Sequence, residues 1–170
     1  MPVHLTHADR RTLLQTYLND HLAGASAGES LVRRAQGSNE GTELGAALAG
    51  LITDIKSDAA ALRDVLARLD TAPARSKLLA AAVAERLGRF KLNGQLIGYS
   101  DLSRLIELEG LCGGVELKRC LWLALKEVQS GYPQLAGVDF DRLADRARAQ
   151  REALEPHRLA AARVAFLPEP

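Results

Sequence analysis

The sequence predicts an all-α protein built as a bundle of long helices, and three observations carry that prediction. Of its 170 residues 47% are hydrophobic but only 4% are aromatic, and the apolar content is mostly Leu and Ala. Leu and Ala lose little side-chain entropy in a helix, whereas strands favour branched and aromatic side chains. Apolar positions also recur at spacings of three and four through four stretches of about thirty residues each, the period of one helical face. Turn-forming clusters at 36–41 and 130–133 fall where such stretches end. A chain of this length is expected to form one domain, 1–170, with a core of its own.

The first helix is expected over 7–36, with Thr6 as its N-cap and Asp9 as an acidic partner three residues on. Leu14, Leu18, Ala25, Gly28 and Val32 mark its inner face, and the glycines of 36–41 end it in a left-handed turn. The second, 42–70, carries Leu44, Leu48, Leu51, Ile55, Leu62, Leu66 and Leu69 and stops before Pro73. The loop between them is short, so the two should lie antiparallel and adjacent. A shorter amphipathic helix is expected at 76–92, through Leu79, Val83, Leu87 and Phe90. Its other side is basic (Arg75, Lys77, Arg86, Arg89, Lys91) and reads as a solvated face on a long connection.

A third main helix, 101–129, opens at Ser100, a good cap, with Asp101 placed for the helix dipole. It is apolar on more than one side, through Leu105, Ile106, Leu108, Leu111, Val115, Leu117, Leu121 and Leu123, which exceeds what one buried stripe requires. The excess anticipates cover by the connecting helix or by a second chain. The fourth, 138–166, packs through Phe140, Leu143, Ala147, Leu154, Ala161 and Val164 and should kink at Pro156.

Several function classes are disfavoured by composition. The net charge is +1, so no broad basic field draws in nucleic acid, and few aromatics could stack on bases. Residues 1–11 hold no apolar run of signal-peptide type, and no stretch of about 18 apolar residues could span a membrane. A cytoplasmic protein is the expectation. Cys112 and Cys120 would stand roughly 12 Å apart on one helix, too far for a disulfide. They read as small core residues in a reducing compartment.

Two antiparallel hairpins joined by one long crossover with a short extra helix resemble the ferritin-like superfamily, in topology and helix length, over nearly the whole chain. The resemblance implies a four-helix bundle. It also implies that metal-binding members place a Glu on the first and third main helices and a Glu-x-x-His pair on the second and fourth. No Glu-x-x-His occurs here. The second helix offers Asp54 and Asp58, the fourth Gln150 and His157, so the architecture is implied and the di-iron chemistry is not.

One constellation follows from register alone. Antiparallel neighbours pair at residue numbers with a constant sum, about 79 for the first hairpin, which sets His21 level with Asp58. If the first and third main helices are antiparallel about their centres, His21 comes beside Glu116, and Gly24 and Gly28 face Gly114 and Gly110. Small residues on both sides would let the backbones approach closely, which accounts for glycines that cost roughly 1 kcal/mol each inside a helix. The second hairpin, pairing at about 269, brings Gln150 near Glu116. His21, Asp58, Glu109, Glu116 and Gln150 are thereby expected in the bundle interior.

A buried carboxylate is paired, metal-bound or protonated. Two readings of the cluster stand. In one it is a hydrogen-bonded group that fixes helix register; in the other, His and carboxylates hold iron, manganese or zinc. The corresponding functions are a non-catalytic association or scaffold protein, as a homodimer or with another protein, and a metalloprotein with a non-standard centre. No catalytic set is complete, and the charges of the fourth helix, Arg146 among them, read as surface charges.

Overall fold

A computed structural model describes residues 9–71 and 99–168. The helix expected at 76–92 and the cap expected at Thr6 lie outside the described residues. Among those described there is no strand, and four long helices account for most of the chain: α1 Arg10–Ser38, α2 Glu43–Arg68, α3 Asp101–Val128 and α4 Phe140–Phe166. Two short 3-10 turns, Gln129–Gly131 and Pro133–Leu135, join α3 to α4. No helix among the described residues is long and apolar enough to cross a membrane.

Local chemistry sets the helix starts. The Thr42 hydroxyl accepts from the Gly45 N–H at 3.1 Å, and the Ser100 hydroxyl from the Ser103 N–H at 3.1 Å. The Asp139 carboxylate does the same for the Arg142 N–H at 2.9 Å. Each satisfies a donor that the helix itself leaves unpaired. At the end of α1 the expectation needs correction. The helix passes through Gly37 to Ser38, and Asn39 closes it: its backbone N–H bonds Gln36 O at 3.0 Å and its Nδ2 donates to Ala35 O at 2.7 Å. The left-handed residue of the turn is Gly41, at φ 77°. Further on, α4 continues through Pro156, whose ring removes one donor without ending the helix.

Each helix packs on two others: α1 on α2 and α3, and α4 on α3 and α2. Arg11 Nη2 donates to Leu69 O at 3.2 Å, which sets the start of α1 beside the end of α2. At the opposite end Arg34 Nε donates to Glu107 Oε1 at 2.6 Å, so α1 runs antiparallel to α3 as well. Lys126 to Asp141 at 2.5 Å and Arg158 to Glu109 at 3.8 Å fix the antiparallel register of α3 and α4. Between the four helices Leu18, Leu48, Leu66, Leu108, Leu121 and Leu125 are fully buried, and Trp122 stacks on Phe140 with ring centroids 6.3 Å apart.

The end of the bundle where α1 finishes is closed by a polar network. Buried Glu107 accepts from Arg34 and, at 3.0 Å, from the Tyr99 hydroxyl; that hydroxyl accepts from Asn39 Nδ2 at 3.0 Å. Arg104 Nε donates to Asn39 Oδ1 at 3.1 Å and its guanidinium lies 5.5 Å over the Tyr99 ring. Burial pushes the Tyr99 hydroxyl up to about 12, Glu107 adds to the rise, and the bond from Asn39 opposes it. It stays a donor at any physiological pH.

Two glycines of α2 give opposite expectations. A Cβ at Gly45 would overlap the Asn39 carbonyl, its carbon 2.9 Å away, whereas one at Gly50 would meet nothing within 4 Å. Gly50→Ala should therefore raise stability by about 0.5–1 kcal/mol. Gly45→Ala should lower it, because the α1–α2 turn must move. Urea denaturation of the two variants checks this, and a Gly45→Ala protein as stable as Gly50→Ala would refute the account of the turn.

Candidate functional site: a cavity between α1, α2 and α3

The residues expected to converge do so only in part. Asp58, 3% exposed on α2, and Gln150, buried on α4, meet: Gln150 Nε2 donates to Asp58 Oδ2 at 3.2 Å. The groups that complete their cluster are cations. Lys118 of α3 donates to Asp58 Oδ2 and, at 2.5 Å, to Gln150 Oε1; Arg146 of α4 donates to Asp58 Oδ1. Both carboxylate oxygens of Asp58 are thus held by charged donors, the stronger kind of hydrogen bond. Asp58 is interior as expected, and Arg146 is not an idle surface charge: its Nη1 also donates to Ser57 Oγ at 3.3 Å.

Glu109 and Glu116 stand apart from this cluster, which corrects their expected place in the interior. Seven residues apart, they share one edge of α3, and arginines meet them there. Glu109 is exposed, with Arg158 at 3.8 Å. Glu116 takes Arg119 at 2.8 Å, and this bond holds its carboxyl below the usual range. It is Lys118, two positions farther along α3, that points to Asp58. Among the described residues no group of three His, Cys, Asp or Glu side chains could hold a metal ion.

His21 lies elsewhere again, on the α1 wall of a cavity of about 440 Å³ between α1, α2 and α3. Its ring meets Tyr17 edge to face, centroids 4.6 Å apart at 73°, rather than a carboxylate. Ile55, Ala59 and Leu62 of α2 and Leu111, Val115 and Leu121 of α3 line the cavity; Asp58 and Lys118 supply its ion pair. Burial pulls the Lys118 ammonium below its usual value, while Asp58 opposes that.

Gly24, Gly28, Gly110 and Gly114 border this space, and here the close approach expected of them is corrected. Only at Gly110 would a Cβ be crowded, by Leu31 Cδ2 at 3.1 Å; at Gly24, Gly28 and Gly114 it would meet nothing within 4 Å. The register was nearly right, since Arg34 with Glu107 and Gly110 with Leu31 pair as antiparallel neighbours do. The glycines open a gap instead of closing one.

Lys118 and Arg146 were not foreseen as partners of Asp58, although the pairing rule that brought Gln150 inward also sets Lys118 level with it. Trp122 is the chain's one tryptophan. It is 1% exposed and lines the cavity, and its indole Nε1 has no hydrogen-bond partner among the described residues.

Compared with protein-family models, curated proteins and solved structures, the chain matches none.

Removing one member of a buried ion pair leaves the other uncompensated, at a cost of about 3–5 kcal/mol when burial is complete. Arg146 is partly exposed, so Asp58→Ala should cost about 3 kcal/mol in urea denaturation. A loss under about 1 kcal/mol, the scale of a surface pair, would remove the cluster from its central place.

His21 gives a pH signature. Burial pulls its imidazole below the usual 6.5, against a smaller upward pull from Asp20. The unfolded chain then binds the proton more readily, so stability falls as pH drops below 6.5 through the lower folded value. Glu29, Glu116 and Glu155, held down by arginine partners, lose their contributions only below 4.5. His21→Gln should flatten the stability profile just below pH 6.5, and an unchanged slope there would contradict the burial.

Proposed function

We propose that this chain is a non-catalytic, ferritin-like helical bundle that works by association, in the first instance with a second copy of itself. The observation that carries the reading is an apolar flank along α1 and α3: Leu13 is 57% exposed, Leu117 63% and Val128 41%. The antiparallel pairing of α1 with α3 sets Leu13 level with Val128; Leu13 lies about one turn from Tyr17 and Val128 about three turns from Leu117, and Tyr17 and Leu117 border the same cavity, which puts these side chains on one side of the bundle. Apolar residues gathered on one face of a soluble protein mark an interaction surface more often than singly scattered ones do.

The ferritin-like arrangement is supported by which ends meet. Leu69 lies by the start of α1 and Tyr99 by its end, so the end of α2 and the residue before the cap of α3 stand at opposite ends of the bundle. Two free cysteines, Cys120 exposed, suit a reducing, cytoplasmic setting. A centre of iron, manganese or zinc has less support, because Lys118 and Arg146 occupy both oxygens of Asp58.

Light scattering over a concentration series tests the reading. The wild type is expected to self-associate, and Leu13→Glu with Val128→Glu to shift it to monomer without changing its far-ultraviolet circular dichroism. A wild type that stays monomeric at the highest attainable concentration overturns self-association. Stoichiometric transition metal in protein purified without chelator would favour the metal centre instead.

A further inference from the structure

Two things at the cavity between α1, α2 and α3 are left unused by the described residues: its space and, on a residue of its wall, a hydrogen-bond donor. Its volume of about 440 Å³ lies within the range of roughly 300–1,000 Å³ typical of small-molecule sites. Three of the glycines that border it, Gly24, Gly28 and Gly114, would accept a Cβ without touching anything. Alanine at each would be the better helix former, and no close backbone approach compensates for its absence.

The donor is the indole N–H of Trp122. Trp carries a donor and no acceptor, and a buried tryptophan ordinarily finds a partner for it. Trp122 forms part of the cavity wall, is 1% exposed, and has no partner for Nε1 among the described residues. An unpaired donor shut away from water is a standing cost that an acceptor entering from the cavity removes.

The charges on the wall narrow the class of visitor. Asp58 and Lys118 neutralise each other, Arg146 and Gln150 add to that cluster, and Asp20 is exposed. No buried charge on the wall is left for an ionic head group to pair with. Tyr17 and His21, edge to face, present aromatic surface.

We infer that this cavity is a binding site for an uncharged, largely apolar molecule bearing a carbonyl or similar acceptor, which takes the free indole N–H of Trp122. Leu117 belongs both to the apolar flank and to the cavity wall, but Leu13 and Val128 do not line the cavity, so the flank variant, which changes only those two, retains binding and the two readings fail separately.

A matched pair of probes tests this, 2-acetylnaphthalene with the acceptor and 2-ethylnaphthalene without it. Equilibrium dialysis against the full chain should show about one equivalent of each bound, with quenching of Trp122 fluorescence. The ketone should bind about three- to tenfold tighter, the range of one net hydrogen bond. Trp122→Phe should abolish that preference while the hydrocarbon still binds. Gly28→Leu, which fills the space, should weaken both probes at least tenfold with an unfolding midpoint equal to or above the wild type; Gly24→Leu is the second such variant. Absence of saturable binding, undiminished binding in the filled variants, or a ketone preference that survives Trp122→Phe overturns the inference. So does failure of both filled variants to fold, since the room would then not exist.

Discussion

Asp58 is a carboxylate with almost no access to water, and a charge in that position has to be met from within the protein. Lys118 and Arg146 meet it from α3 and α4, and Gln150 links the two donors' neighbourhoods. One side chain of α2 is thereby tied to two other helices, including α3, whose backbone does not come close to that of α2 among the described residues. Leucines alone tolerate sliding of one helix along another. A carboxylate whose two oxygens each require a particular cation does not, and the register of three helices is set by that requirement. The network around Glu107 does the same for α1 and α3 at the end of the bundle.

Much of the frame was legible because it rests on periodicity and caps. Ser100 and Thr42 begin their helices as their hydroxyls require, and the four apolar stripes fall on four helices. Antiparallel pairing put Asp58 and Gln150 into one interior cluster, where they do meet, although it set them beside His21 and Glu116 and not beside each other. The charges failed for one reason: a constant-sum rule gives height along a helix but not angle around it. Glu116 is near the right height and about a quarter-turn off the inner face, while Lys118, nearly level with it, lies on the proper side. A long lysine stem can reach inward from a boundary position, and residue type alone does not reveal that.

The glycines carry a related lesson. Small residues facing each other across two helices fit close packing and an open gap equally well, since both need the side chains to be absent. The outcome depends on how far apart the axes are held by larger neighbours, and Leu31 beside Gly110 is one such spacer. Lys118 and Asp58, which need room for their heads, lie on the same side of the bundle.

The cavity also bears on which part of the molecule is least firmly held. Helix α1 carries two of the glycines that border it. Its cap residue Asp9 makes no side-chain capping bond, it has no acidic residue in the first turn and no basic one in the last, and it opens on Arg10 and Arg11 beside the positive pole of its own dipole. Little stabilises this helix from within, and over its middle turns part of its inner face looks onto empty space. Local openings are drawn from segments of that kind. Amide protons near Gly24 and Gly28 should therefore exchange with solvent well before those of α2 or α3, so that this one wall loosens while the other three helices stay locked together.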